Sequence, residues 1–434
     1  MNGGFPIGRR AFVCGAAPLL LPASVFGQKA PSNRIAVGII GAGRQTVTVN
    51  LKQFLAMPDV QVVAVCDVDA WRLANARQQV EESYAKQTGS GVYKGCKTFR
   101  DSQELLADKS IDVVFVGTPD HWHVPLSVAA IQAGKDVSCE KPLTRFIAEG
   151  RQLSDLAAKH KRVFRNDSEF RSLENFHRAV ELVRNGRIGR LHTIRSGVPG
   201  TDVGCPPQPD MPVPEGLDYE RWQGPAPRAA YTEKRVHPPK SYDRPGWMRH
   251  TYYCDGMVTN WGAHLNDIVQ WGNNTERTGP VEVEARGTFP PAGSFWNVML
   301  TFEAEYRYAN GVRLYYKTDA PYVRFEGADG WILAEYNKPL QASAAAILDS
   351  KIREDEIRFP LKSDKQDFID AVKTRGQTLE DAEVGHRTMS VNHLANIAVK
   401  VGGRLQWDPA KERFTNSEAA NAFVKKAILQ PGRG

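Results

Sequence analysis

The chemistry in this chain begins with Val137-Ser138-Cys139-Glu140-Lys141-Pro142. The run predicts a short buried strand that ends abruptly, with Pro142 stopping ladder pairing. The carboxyl edge of an open α/β sheet is where ligands bind. A lysine there is either a surface charge or a group aimed at a ligand. Desolvation beside another cation makes a lysine a usable acid–base. Gly41-Ala42-Gly43-Arg44-Gln45-Thr46 follows an apolar run over 34–40. It opens a dinucleotide fingerprint: one glycine for the tight turn, the next for close approach to a pyrophosphate, and Thr46 where a third small residue is usual. Asp67 closes the next apolar run, placed to accept bonds from ribose hydroxyls, and Val68-Asp69 behind it carries no base, favouring NAD over NADP.

Two further clusters carry polar groups. Thr118-Pro119-Asp120-His121-Trp122-His123 ends the apolar run over 111–116. Asp120 reads there as a helix cap. His121 and His123 are two metal-type ligands without a third, so no metal is expected. Asn260-Trp261-Gly262-Ala263-His264-Leu265-Asn266-Asp267, if helical, sets Asn260 and His264 one turn apart, with Asp267 three residues on. A histidine oriented by a carboxylate is a general-base arrangement. The plain alternative is a helical core histidine.

These clusters need a scaffold. Continuous apolar runs over 34–40, 60–66, 111–116 and 137–139 alternate with helical patterns over 47–57, 70–86, 125–133 and 148–160, which predicts a doubly wound parallel sheet. Beyond residue 162 the pattern changes. A helix is expected over 174–185, alternating strands over 191–196, 281–288, 297–303, 312–317, 323–326 and 330–335, and closing helices over 364–374 and 379–401. The strands imply one open, mainly antiparallel sheet. Between them lies a Pro- and Gly-rich segment, 198–245, too long for a plain connection and too rich in Trp and Tyr for plain disorder.

The N-terminus is a segment apart. Gly8-Arg9-Arg10-Ala11-Phe12-Val13 precedes a short apolar run over 16–26, the pattern of a secretory leader cleaved near Gly27, with paired arginines of twin-arginine type. The chain of 434 residues carries a formal charge of +7, and loss of Arg9 and Arg10 leaves +5. The charges are interspersed, which argues against nucleic-acid binding. No later apolar run is long enough for a membrane span. Beyond Cys14 the cysteines are Cys66, Cys96, Cys139, Cys205 and Cys254, with no CxxC spacing, so neither a disulfide framework nor a zinc site is expected. A twin-arginine route, which moves proteins already folded, lets such cysteines stay reduced and buried in a periplasmic protein.

Taken in order, the Gly41 turn, the Thr118-Pro119 edge, Glu140-Lys141-Pro142 and His264 resemble the Gfo/Idh/MocA family of oxidoreductases. The family's Thr-Pro-Asn-x-x-His edge matches Thr118 to His123 with Asp120 for Asn, and its Asp-x-x-x-His pair matches Asn260 to His264 with Asn260 for Asp. The resemblance is specific to the exported branch, through segments such as Val213-Pro214-Glu215-Gly216-Leu217-Asp218-Tyr219 and Gly224-Pro225-Ala226-Pro227. It implies a leader over 1–27, an NAD-binding Rossmann domain over 28–161 and a substrate-binding and oligomerisation α/β domain over 162–434. It implies hydride transfer between NAD and a carbohydrate hydroxyl, such as C3 of a pyranose, with the cofactor held and recycled.

The same resemblance assigns roles. Gly41, Gly43, Arg44, Gln45, Thr46, Asp67, Thr118, Pro119, His121, His123, Glu140 and Lys141 would hold the cofactor. Lys141, His264, Asn260 and Asp267 would be catalytic, with either Asp267 orienting His264 in place of the absent carboxylate at 260 or the proton relay resting on Lys141. Lys141, Glu169, Arg171, Trp261 and His264 would meet the sugar. The open sheet implies a homodimer or homotetramer. Two other outcomes share these residues: a glycosidase working by oxidation, elimination, water addition and re-reduction, and a non-catalytic sugar-binding protein.

Overall fold

The computed structural model describes residues 34–201 and 204–426. The expected leader over 1–27, with Cys14, lies outside them. The first sheet has six parallel strands: β1 (Ile35–Ile40), β2 (Val60–Cys66), β3 (Lys97–Phe99), β4 (Val113–Val116), β5 (Asp136–Glu140) and β6 (Phe164–Asp167), in spatial order β3-β2-β1-β4-β5-β6. Val37, Ile39, Val113, Phe115 and Val137 have no exposed surface, because helices cover both faces. Strand β6 lies beyond the expected boundary at 161. It pairs with β5 from Val137↔Phe164 to Glu140↔Asp167, so the sheet domain extends to Asp167. The polar face of Phe164-Arg165-Asn166-Asp167 hides it from an apolar-run reading. Arg165 is buried against Asp367 and Glu380, and Asp167 against Lys365. Those partners lie on or beside the helix Asp364–Thr374, whose Phe368 and Ile369 also join the core under β1.

The second sheet has nine strands: β7 (Leu191–Val198), β8 (Pro280–Thr288), β9 (Thr301–Tyr308), β10 (Arg313–Thr318), β11 (Tyr322–Gly327), β12 (Gly330–Glu335), β13 (Gln341–Ala342), β14 (Leu405–Asp408) and β15 (Arg413–Phe414), in the order β13-β12-β11-β7-β10-β9-β8-β14-β15. All neighbours are antiparallel except β7 and β10. Its inner face packs on the helices Glu174–Arg184, Gly262–Gly272 and Ala382–Val401 through Val180, Leu265, Ile268, Tyr306, Leu314, Phe325 and Leu394. Its outer face alternates Arg and Glu, as in Arg286–Glu303 and Arg195–Glu326. Residues 297–300, expected in a strand, precede β9 as irregular chain. There the Asn297 side chain accepts from Thr251 N (2.8 Å).

The Pro- and Gly-rich segment is ordered around its own apolar cluster of Tyr219, Trp222, Tyr231, Val236 and Tyr253. It is strapped to the first domain. Asp69 pairs with Leu217 through an isolated bridge. Arg72 donates to Ser241 O (2.7 Å), and Arg100 donates to Val68 O and Gly216 O (both 2.7 Å). Among the described residues no helix is long and apolar enough to cross a membrane, and the described cysteines are free and buried.

Candidate active site

The carboxyl ends of β1, β2, β4 and β5 open into one cavity of about 390 Å³. Its floor is Gly41, Gly43, Arg44, Gln45, Asp67, Thr118, Pro119, Asp120, Glu140 and Lys141; Asn260 closes one side, and strap residues including Arg221, Trp222, His237 and Trp247 complete it. Gly41 has φ +92°, and a Cβ there would stand 2.7 Å from the Gly117 carbonyl. Only glycine fits that approach. A Cβ on Gly43 would meet nothing closer than Gly117 O at 3.9 Å, so the missing side chain leaves room within the cavity.

Thr46 does not face a ligand. It is fully buried, and its hydroxyl donates to Gly117 O (3.2 Å). The third small residue of the fingerprint is supplied from β4's end: a Cβ on Gly117 would clash with Thr46 Oγ1. Asp67 accepts from Ala42 N (2.7 Å) and Asp69 N (2.8 Å), and burial raises its carboxyl above the ordinary range. The arginines around that end are already engaged. Arg72 and Arg100 hold the strap carbonyls, and Arg221 pairs with Asp101 (3.2 Å). A half-buried carboxylate with committed guanidiniums suits a ribose diol and disfavours a 2′-phosphate. The residues present therefore fit NAD: a glycine cradle, the free amides of a helix start, and a carboxylate at the adenosine end.

The Lys141–Pro142 peptide is cis, and Lys141 follows β5 directly. Lys141 Nζ approaches Asn260 Oδ1 (3.4 Å) and Asn260 O (3.5 Å). Glu140 is held inward by Asn50 Nδ2 (2.7 Å) and Lys141 N (3.2 Å), and burial lifts it to about 7. Asn260 and His264 stand one turn apart on the helical run from Met257 to Gly272, interrupted only at Trp261. His264 Nδ1 shares a hydrogen with Ser168 Oγ (3.2 Å), and no described residue bonds Nε2. The imidazole stacks on Phe170 at 4.4 Å, with Trp261 at its edge. Burial, then the charge of Lys141, pushes it well below the ordinary histidine value. Glu169, half-buried, is raised by burial and opposed by Lys141.

Further expected roles are corrected. Asp267 does not orient His264: both its oxygens take Arg171, Oδ2 from Nε (2.7 Å) and Oδ1 from Nη2 (2.6 Å). Arg171 is likewise no sugar ligand. It is buried, and spends its remaining donors on Glu276 (2.7 Å) and Leu379 O (2.7 Å). Helical spacing put Asp267 near His264, but the arginine three residues beyond Ser168 reaches it first. His121 and His123 do not line the cavity. Their rings bond Trp222 O (3.0 Å), Pro142 O (2.8 Å) and Thr118 O (2.8 Å), locking the strap and the β4 and β5 ends together, and burial lowers them to about 3 and about 4. Asp120 is no cap: Pro119 and Trp122 take the N-cap positions of the turn and of the helix after it, and the Asp120 Oδ2 is buried without a partner. The strap residues on the cavity were missed as site residues; their clustered aromatics were the available signal.

Comparison with known proteins agrees with this geometry. Residues 35–168 match the family model described as the oxidoreductase family, NAD-binding Rossmann fold, and residues 202–433 match its C-terminal alpha/beta domain. The chain is 30% identical to the D-glucoside 3-dehydrogenase of Escherichia coli K12 over 178 residues, 40% of this chain and 47% of that one. It is 30% identical over 242 residues to a glycosyl hydrolase family 109 protein of Stenotrophomonas maltophilia, 50% of each. The chain thus spans about half the length of these relatives. An aldose–aldose oxidoreductase from Caulobacter crescentus, solved with glycerol, shares the fold at a TM-score of 0.62 and 16% identity, covering 86% of this chain and 99% of that one.

Proposed function

The chain belongs to the Gfo/Idh/MocA oxidoreductase family, and from that premise we propose that it moves hydride between tightly held NAD and a ring hydroxyl of a sugar or glycoside, C3 of a pyranose in the first instance. The observation that carries the reading is Lys141 beside Asn260 in the same cavity as Gly41, Gly43 and Asp67. The nicotinamide, when bound, supplies the hydride acceptor. Lys141 Nζ hydrogen-bonds the reacting oxygen and stabilises charge on it as the proton leaves. His264, held neutral, presents Nε2 as the first acceptor of that proton. Asn260 orients Lys141 without adding charge. Similarity to the glucoside 3-dehydrogenase supports the C3 position.

Export through a twin-arginine leader, with work in the periplasm, belongs to the same proposal. Free NAD is scarce outside the cytoplasm, so a strapped cofactor that cycles between two sugars suits that compartment. The open sheet's outer face would pair copies into a dimer or tetramer.

The test is mass spectrometry of the cofactor carried by purified protein, together with its absorbance and products after incubation with a glycoside panel. Protein without nicotinamide, and without a reduced-cofactor band on any sugar, sinks the reading. Similarity to the family 109 protein favours one second outcome, net glycoside hydrolysis through a transient ketone. Deuterium entering at C2 during turnover supports it, and a stable keto-sugar product opposes it.

A further inference from the structure

A protein that keeps its hydride between two sugars must also keep the matching proton. The polar groups in and beside the cavity differ sharply in their ability to do so. Asn260 is an amide and holds none. His264 is pushed well below the ordinary histidine value, so it passes a proton on. Glu140 is already engaged, with one oxygen on Asn50 and the other on the Lys141 amide. Asp120 differs from all of these. It stands at the end of β4 with 3% of its surface exposed, lines the cavity, and its Oδ2 has no hydrogen-bond partner. A buried carboxyl oxygen left without a partner is costly to a fold unless it serves a ligand or a proton.

We propose that the Asp120 carboxyl stores the substrate proton between the two halves of the hydride exchange, reached through Lys141. The inference rests on the hydride-transfer reading above. In the first half the carbinol C–H bond breaks and its electron pair leaves as hydride to the nicotinamide. The O–H bond breaks as well, and its proton, taken first by His264 Nε2, passes by way of Lys141 Nζ to Asp120, turning carboxylate into acid. In the second half the acid returns that proton to the oxygen of an incoming carbonyl while hydride returns to its carbon. Protons and electrons then balance over the cycle without exchange with solvent.

The surroundings suit a group that changes state. Burial raises the Asp120 carboxyl to about 8; Arg145 and Lys141 pull it down and Asp255 pushes it up. Arg145 is pinned on Asp255 (2.8 Å) and Thr251 O (2.7 Å). The Cys254 and Cys139 thiols, both raised by burial, also face Asp120 and stay neutral. Glu140 and Glu169 face Lys141 from the other side. The sign follows. Below about 8 the resting group is mainly acid, so oxidation of a glycoside, which needs the carboxylate, speeds up roughly tenfold per pH unit toward that value. Reduction of a keto-sugar, which needs the acid, slows above it.

The test measures the two half-reactions separately by stopped flow across pH, in wild type and Asp120→Asn. The expected result is opposite limbs near pH 8 in wild type, with both absent in the variant and each half about 10–100-fold slower. A limb that survives in the variant overturns the inference while leaving hydride transfer intact. Infrared difference spectra of wild type, oxidised against reduced, guard against a variant that fails to fold. A protonated-carboxyl stretch is expected to appear on reduction, and its absence overturns the inference. Wild type whose cofactor no glycoside reduces removes the premise and overturns both readings.

Discussion

Replacing Arg72 with Met tests whether the strap retains the cofactor. Methionine keeps the apolar stem and removes the guanidinium, which now donates to Ser241 O (2.7 Å), sits 4.9 Å over the Tyr242 ring and lies 3.7 Å from Asp69. A charged-group hydrogen bond is worth about 1.5–3 kcal/mol and the ring contact about 0.5–1 kcal/mol. Arg72 is buried, so little of this is screened. The docked strap should therefore lose about 2–4 kcal/mol. If the strap lifts before the cofactor leaves, release speeds up roughly 30- to 1,000-fold at about 1.4 kcal/mol per decade. His237→Ala works from the other side of the contact. It removes a charge-assisted bond to Asp69 Oδ2 (3.1 Å), worth about 1.5 kcal/mol and roughly tenfold in rate. Exchange of bound NAD against excess labelled NAD, with folding checked by circular dichroism, should rank Arg72→Met fastest, then His237→Ala, then wild type. Folded variants that exchange no faster than wild type refute the strap as the gate.

Lys141→Ala should cut turnover by about 10²–10⁴, while Asn260→Ala should cost about tenfold, since an amide orients but moves no proton; equal turnover numbers argue against that division. Arg171→Ala should act on stability. It strands the buried Asp267 carboxylate at a cost of about 3–5 kcal/mol, read by denaturant unfolding, and a rise in sugar KM at unchanged stability would restore a substrate role. Changing Arg9 and Arg10 together to Lys should hold the protein in the cytoplasm of its native host, as fractionation would show.

How far the sequence carried varies with physical cause. Strands β1, β2, β4 and β5 are legible because both faces are covered, so the run is apolar throughout. Strand β6 was not, since its Arg165 and Asp167 are neutralised by Lys365, Asp367 and Glu380, some 200 residues away. The same limit applied at the site. Lys141, Asp67 and the glycine turn are placed by the strand ends they follow. Asp267 was misassigned because helical spacing says which residues share a face, whereas its partner is decided by Arg171 arriving from another element. The histidines of the Thr118 edge carry a cofactor role only through the family resemblance. Their rings instead turn to backbone carbonyls, each neutral ring with one N–H to give, and only the contact pattern shows that.

The amide at 260 has an electrostatic reason. Asp120, Glu140 and Glu169 already surround Lys141, and burial raises all three. A further carboxylate at 260, 3.4 Å from Nζ, would pair with the ammonium directly and add a fourth acidic group around it. It would also lift Asp120 further, since like charges raise one another. Asn260 keeps the oxygen that Lys141 approaches and leaves that charge out. Asn260→Asp should therefore move the Asp120 limb to higher pH and slow proton transfer below it, even though it brings the pair closer to the family pattern. The pH dependence of glycoside oxidation, paired with amine-selective acetylation of Lys141 read by peptide mass spectrometry, checks this. Slower acetylation at pH 8 is expected. A limb moved downward, or a faster acetylation rate, would show that the site tolerates a fourth carboxylate and that the amide at 260 has another cause.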